Sequence, residues 1–472
     1  MTSAVMPKRF EPPVAQGVTV PVVTVQPLGQ QARRIIGLVP ASVTGLPETL
    51  WTGSTVDGLV RQIRDLPPFS LPAAQALLYT LLLTEAEGPG NDTRGEDRLT
   101  LARVDALMRL GAHEPALSLL EQADVTRDAA HFAAFMDLAL LTGEEDAGCA
   151  ILKAQTHLAP SLAHRSFCAA RLGDWPTAAL LFDTGRSLGS IPEAEAEALE
   201  RFLHIEAYED APPLPRPSQM SPLLFRLYEA IGERLPTGAL PRPYAVADLR
   251  DVAGWKSQLE AAERLAVTGA LPANRLLGLY TARAPAASGG VWDRVRTIQR
   301  FETALRTRST DAIAKSLPSA WFEMQRAGLE ICFAELFADA LTRYDLKGPA
   351  GQIAQQMFLL SSKYQQIDPE APVGPLLRGI ALGQVDAEMA DRQRAAAIVA
   401  GFDTTKARRD LIGMAQNGRM GEAILRTLLL LDDGAAGDPV ALTQALATLR
   451  TFGLEDTARR AALQILLLER YS

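Results

Sequence analysis

Apolar positions recur with a helical period along most of the chain. In "GLPETLWTGSTVDGLVRQIRDLP" (45–67), Leu59, Ile63 and Leu66 fall at i, i+4 and i+7, with Ser54 or Thr55 placed to cap the helix. "PGNDTRGED" (89–97) reads as a polar loop. Beyond it one pattern returns four times: Gly111 with Ala116, Gly173 with Ala178, Gly418 with Ala423, and Gly453 with Ala458, always as Gly-x4-Ala. Shorter versions pair Gly143 with Ala147 and Gly383 with Ala387. The glycines are spaced by 32, 30, 35 and 35 residues within the two stretches that carry them, near the roughly 34-residue period of a two-helix repeat. A glycine just past a helix takes the left-handed conformation that ends it. An acid beyond it (Glu144, Asp174, Glu455) suits the positive start of the next helix, and Pro176 is tolerated in a first turn. The alanine then sits where antiparallel helices approach closely. "RLGDWPTAALLF" (171–182) is such a corner, with Trp175 packed over the turn.

The pattern predicts an all-α protein, a right-handed α-solenoid of helix-turn-helix repeats with proline-rich interruptions. Residues 1–44 read as a disordered Pro/Val-rich tail. Alternation of Val18, Val20 and Val22 also suits an edge strand added to a partner, although Pro21 argues against a central strand. An N-terminal repeat region covers 45–210, a proline-rich linker 211–221, a middle helical region 222–345 and a C-terminal repeat region 346–472. The final "ALQILLLERYS" (462–472) is apolar enough for either a core helix or a dimer surface.

Composition narrows the function more than the fold. A formal net charge of −8 and a pI near 5.4 supply no basic field for phosphate backbones, which excludes nucleic acid as a partner class. The short clusters "ARRD" (407–410) and "ARRA" (458–461) read as solvated helix faces. No apolar run reaches the length of a membrane span; "LPAAQALLYTLLL" (71–83) comes nearest. The first thirty residues carry no readable secretion signal, which points to the cytoplasm if the sequence is complete. Cys149, Cys168 and Cys332 are odd in number and form no CxxC, so small buried thiols are expected rather than a disulfide framework or zinc site. Cys149 and Cys168 would meet only on neighbouring antiparallel helices.

Catalytic signatures are absent: there is no P-loop, GxGxxG after a strand, GxSxG or HExxH. The histidines, His113, His131, His157, His164 and His204, form no ligand spacing, and no metal or other cofactor is predicted. One stretch is over-specified, "PAASGGVWDRV" (285–295). Ser288, Gly289 and Gly290 lead into a helix whose first amides could hold an anion, with Trp292 and Arg294 following and Trp255, Lys256, Arg275 and Tyr280 as candidate neighbours. The structural alternative is a helix start capped by Ser288 with Trp292 as a core anchor.

The segments "GLPETLWTGSTVDGL" (45–59), "LYEAIGERLPT" (227–237), "GWKSQLEAAERLAVTGALPANRLLGLYTARAPAASGGVWDRV" (254–295) and "LLSSKY" (359–364) resemble a family of Ala- and Leu-rich alphaproteobacterial proteins labelled antifreeze glycopeptide polyprotein. The label does not fit, because nothing here repeats with the three-residue period of an Ala-Ala-Thr array. The resemblance implies an exported, envelope-associated helical protein and supplies no catalytic residues to carry over. The Gly-x4-Ala corners are also similar to degenerate tetratricopeptide repeats. Together these readings suggest a non-catalytic scaffold or adaptor, serving a cell-envelope complex, that binds protein partners in a concave groove. The alternative is a ligand-binding or enzymatic accessory factor, related to the cell wall, with its site near 255–294. Self-association through the ends of the array is a third reading.

Overall fold

A computed structural model describes residues 35–90, 97–389 and 392–468. The Val18–Val22 alternation, most of loop 89–97 and the last four residues lie outside them. Helix dominates. The chain opens with β1 (Ile35–Ile36), α1 (Ala41–Thr44), α2 (Val56–Arg64), α3 (Pro72–Leu83) and β2 (Ala86–Glu87). There follow α4 (Arg98–Leu110), α5 (His113–Ala123), α6 (Ala129–Thr142), α7 (Glu145–Ala154), α8 (Leu162–Arg171), α9 (Trp175–Ser187) and α10 (Glu193–Leu203). The middle holds α11 (Pro222–Ala230), α12 (Trp255–Ala266), α13 (Ala273–Thr281), α14 (Val291–Arg306), α15 (Thr310–Arg326) and α16 (Glu330–Leu341). The last are α17 (Gly348–Leu360), α18 (Pro375–Leu382), α19 (Gln393–Gly401), α20 (Arg409–Gln416), α21 (Met420–Ala436), α22 (Pro439–Thr451) and α23 (Glu455–Leu467).

The corners form for the reasons their residues suggest. Gly111, Gly143, Gly173, Gly383, Gly418 and Gly453 all have φ between 74° and 87°, where a side chain would be strained. Ala116, Ala178, Ala423 and Ala458 are fully buried. Gly143 differs: Ala147 is exposed, and the close approach falls one residue later, at Gly148, where a Cβ would lie 2.6 Å from Met136 Sδ. The five-residue offset therefore holds at that corner too, with glycine in place of alanine. The Ala387 side chain lies outside the described ones. Trp175 is half exposed and leans on Phe202, with ring centroids 6.2 Å apart. Thr55, rather than Ser54, caps α2 by accepting from the Gly58 amide.

Residues 35–44 are not part of a tail. β1 pairs antiparallel with β2, Ile35 opposite Glu87 and Ile36 opposite Ala86. The buried Arg103 guanidinium donates to the carbonyls of Ile36, Leu82 and Thr84 at 2.9, 2.7 and 3.0 Å. Burial lowers the Arg103 pKa to about 10. One carbonyl of β1 and two at the C-terminal end of α3 are thereby satisfied.

Solenoid repeats touch only their neighbours, whereas here the first helices also pack on the last. α3 contacts α21 and α23, and α2 contacts α21. Trp51 is fully buried against Gly421, where a Cβ would come within 2.3 Å of the indole. Gly53 N donates to Gly418 O at 3.0 Å and Gly421 N to Leu50 O at 2.9 Å. Ala73 N donates to Gln464 Oε1 at 2.8 Å. The C-terminal run is accordingly a core helix: Leu463, Ile465 and Leu468 are buried in the main cluster, which extends from Ile36 to Leu468.

A second cluster gathers Phe132, Met136, Phe167, Phe182, Leu199 and Leu223 around Cys149 and Cys168. Those two cysteines form a disulfide, with Cα atoms 4.9 Å apart, where buried thiols were expected. α7 and α8 are packed neighbours, and residues 19 positions apart land opposite each other across the connection. Only Cys332 is free.

Candidate binding cleft

The structure brings part of the predicted 255–294 site together. Trp255, the first residue of α12, donates its indole N–H to Leu279 O at 3.1 Å and packs on Trp292, with centroids 5.2 Å apart. Tyr280 donates to Glu263 Oε1 at 2.8 Å. Arg294 grips the same carboxylate, Nε to Oε1 at 2.7 Å and Nη2 to Oε2 at 2.5 Å. Burial, followed by the Glu263 charge, holds the Tyr280 hydroxyl well above its usual pKa. Burial alone would lower the Arg294 pKa, but the hydrogen bond and charge of Glu263 outweigh it and raise it. Glu263, absent from the sequence reading, is thus the centre that ties α12, α13 and α14 together. In sequence it is one of many helical glutamates.

The other predicted residues lie apart. Lys256 makes an exposed i, i+4 pair with Glu260 at 3.6 Å, and Arg275 reaches Glu114 at 3.0 Å on the surface. Ser288 is exposed and does not cap α14; the cap position is Gly290, without a side-chain hydrogen bond. Gly289 and Gly290 both have positive φ, so the turn needs glycines for its backbone. The amides of Trp292 and Asp293 donate to the carbonyls of Gly289 and Gly290, both at 3.2 Å, so two of the amides that an anion would use are already engaged. Trp292 serves as an anchor.

A better-formed cleft lies elsewhere, at the junction of α7, α8, α11 and the segment 230–252. It encloses about 390 Å³ and is lined by Glu145, Arg171, Arg226, Glu229, Arg234 and Arg250, with Phe167, Ala230 and Val252 as its apolar wall. Arg226 donates Nε and Nη2 to Glu145 Oε1 at 2.9 and 2.8 Å and Nη1 to Glu229. Arg250 also donates to Glu229. Arg234 pairs with Asp248 at 2.6 Å and Arg171 with Asp146 at 2.7 Å, both acids standing outside the lining. Burial would raise the Glu229 pKa, but Arg250 and Arg226 together lower it. Glu145 is buried, and its Oε2 has no hydrogen-bond partner in the chain. The sequence hint was Glu144-Glu145 at a helix start, which reads as charge compensation; Arg226 lies 81 residues away.

An apolar cavity of about 380 Å³ opens where α3, the α12–α13 turn and α16 meet, lined in part by Tyr79, Val267, Ile331 and Cys332. Burial, then the Glu335 charge, pushes the Cys332 thiol up to about 11, so it is protonated at neutral pH. Among the described residues, no group of three or more His, Cys, Asp or Glu side chains is placed to hold a metal ion, and no helix is long and apolar enough to cross a membrane. In the two short basic clusters, Arg408 pairs with Asp410, Arg459 with Glu455 and Arg460 with Asp456. When the chain was compared with known proteins, no family model, curated protein or solved structure matched it.

Proposed function

We propose that this protein is a non-catalytic interaction scaffold built from degenerate, tetratricopeptide-like helix pairs, closed by the packing of its first helices on its last, whose exposed helix faces dock a protein partner. The observation that carries this reading is the distribution of exposed apolar side chains. Among the described residues, eleven large hydrophobics are exposed, and five of them fall within 172–205: Leu172 just after α8, Trp175 and Leu180 on α9, Leu188 just after α9 and Ile205 just after α10. Scattered exposed apolar residues need no explanation, but nearly half of them within one stretch of 34 residues supports an interaction surface in that region. The buried alanines at Gly-x4-Ala corners support the repeat reading. The packing of α2 and α3 on α21 and α23 argues against self-association by stacking of array ends, since those ends cover each other.

The Cys149–Cys168 disulfide favours an oxidising compartment. That agrees with the envelope association implied by the resemblance to the Ala- and Leu-rich alphaproteobacterial family. The test is co-purification from native cells of the wild type and the Leu180→Glu/Leu188→Glu variant. A stoichiometric partner that is lost in the variant, with the melting temperature unchanged, supports the reading. A partner retained by the variant, or no partner for either protein, overturns it.

A further inference from the structure

The apolar cavity between α3, the α12–α13 turn and α16 contains one buried polar group that no described residue meets. Pro72, Gln75, Ala76 and Tyr79 fall at i, i+3, i+4 and i+7 along α3 and form the stripe of that helix that lines the cavity. Other faces of the same helix, through Ala73, Ala74, Leu77 and Leu81, pack in the core. Gln75 is only 5% exposed, yet its side-chain amide makes no hydrogen bond with any described residue, and neither end of it is sealed by the packing. The other polar side chains of the wall are spent. Thr268 Oγ1 turns to the Leu110 and Leu265 carbonyls, both 2.9 Å away, and Cys332 Sγ donates to Ala266 O at 3.4 Å. Glu335 accepts from Ser362 Oγ at 2.8 Å and stands 3.6 Å from Arg460. Tyr79 Oη is shut off from the cavity by its neighbours. The Gln75 amide is thus left open in a wall that is otherwise made by Val267, Leu271, Pro272 and Ile331. A buried water needs about 2–4 polar partners, which one amide does not supply. A buried amide is costly unless something meets it, and a larger molecule does so while also covering the apolar wall.

We propose that this cavity binds a neutral, mainly apolar molecule with one group that both donates and accepts a hydrogen bond: a primary amide or an alcohol on a hydrocarbon chain. Gln75 offers an N–H and a carbonyl side by side, and a primary amide meets both at once. The hydrocarbon would lie on Val267, Leu271 and Ile331. Charge selects against ions. Among the described residues no Lys or Arg lines the cavity to receive a carboxylate, and Glu335 in the wall repels one. An ammonium group would find that Glu335 is already engaged by Ser362 and Arg460. The volume of about 380 Å³ falls within the range of small-molecule sites, which are mostly apolar with a few placed polar groups. This site does not rest on the exposed residues at 172–205, and its test reads no protein partner.

The experiment is calorimetric titration and thermal shift of the full chain with hexanamide, 1-hexanol, hexanoate and hexylammonium. Hexanamide and 1-hexanol should bind, while hexanoate and hexylammonium, which are ionised at neutral pH, should bind at least about tenfold more weakly than hexanamide. Gln75→Leu exchanges the unmet amide for an apolar side chain of similar size. It should melt no lower than the wild type and bind hexanamide about tenfold more weakly. Ala76→Trp, at an exposed position of the lining and hence tolerant for folding, fills the cavity and should abolish binding of both neutral probes. Binding of either ion as tight as that of hexanamide would overturn the proposal, because the wall would then not select a neutral group. Undiminished hexanamide binding by Gln75→Leu would mean that the amide does not touch the ligand, and undiminished binding by Ala76→Trp that the ligand lies elsewhere; either would overturn it. So would no binding of hexanamide and 1-hexanol to the wild type at millimolar concentration.

Discussion

Replacing Trp51 by alanine should loosen the join between the first and last helices. The indole is fully buried on α21, and Gly421 has no side chain because the ring occupies that space. Truncating a buried Trp to Ala costs about 3–5 kcal/mol, combining lost transfer energy with the cavity left behind. A chain of 472 residues unfolds with an entropy on the order of 1 kcal/mol/K, so the melting temperature should fall by about 3–5 °C. Trp51→Phe tests the cause. Trp51 Nε1 is buried without a hydrogen-bond partner, so phenylalanine gives up apolar area but also removes an unsatisfied donor, which itself costs about 1–3 kcal/mol. The two terms oppose, and the shift should be less than half that of alanine. The assay is thermal unfolding followed by circular dichroism, with Trp175→Ala as the half-exposed control. If Trp51→Ala melts no lower than Trp175→Ala, the packing argument fails. If Trp51→Phe melts as low as Trp51→Ala, the unsatisfied donor carries no weight.

Three further outcomes follow from buried polar groups and the disulfide. Removing the Cys149–Cys168 bond by Cys149→Ala/Cys168→Ala should cost about 3 kcal/mol, from the loop entropy of a 19-residue separation, and reductant should destabilise the wild type but not the variant in chemical denaturation. Glu263→Gln leaves the Arg294 charge without its partner in a largely buried position and should cost about 3–5 kcal/mol. The triple change Glu263→Leu/Tyr280→Phe/Arg294→Met, which removes every polar member, should recover most of that stability in the same denaturation assay. Two buried groups make opposite contributions in acid. Burial lowers His164 to about 4, so the unfolded chain takes up a proton first and this contribution to stability is lost as pH falls from about 6.5 toward 4. Burial, with the Glu195 charge, raises Asp137 to about 6, so its contribution is lost as pH rises from about 4 toward 6. Melting curves at pH 4.5–7 should therefore show less acid sensitivity in His164→Asn and more in Asp137→Asn; shifts in the reverse sense would refute the assignment.

The helical class and the corner positions could be read from the chain alone, because their causes are local. A left-handed glycine, an acid or Ser/Thr at the next helix start and a small residue five positions on act within two turns of backbone, which is why Gly111, Gly173, Gly418 and Gly453 fall where the pattern puts them. The same locality explains the slip at Gly143: Ala147 and Gly148 are both small, and only the neighbouring Met136 decides which one faces the partner helix. Residues 35–44 belong to the fold rather than to a tail because Arg103, far along the chain, holds residue 36 in place. What local pattern cannot carry is pairing at a distance. Ser54 meets Glu422 across 368 positions, Glu145 meets Arg226 across 81, and the two cysteines are opposed only because α7 and α8 pack as they do. Such contacts cost loop entropy and are repaid only when the whole core assembles, so no single segment encodes them. The tertiary structure alone turned Glu263 and Glu145, two glutamates among many, into the centre of a three-helix tie and the wall of a cleft.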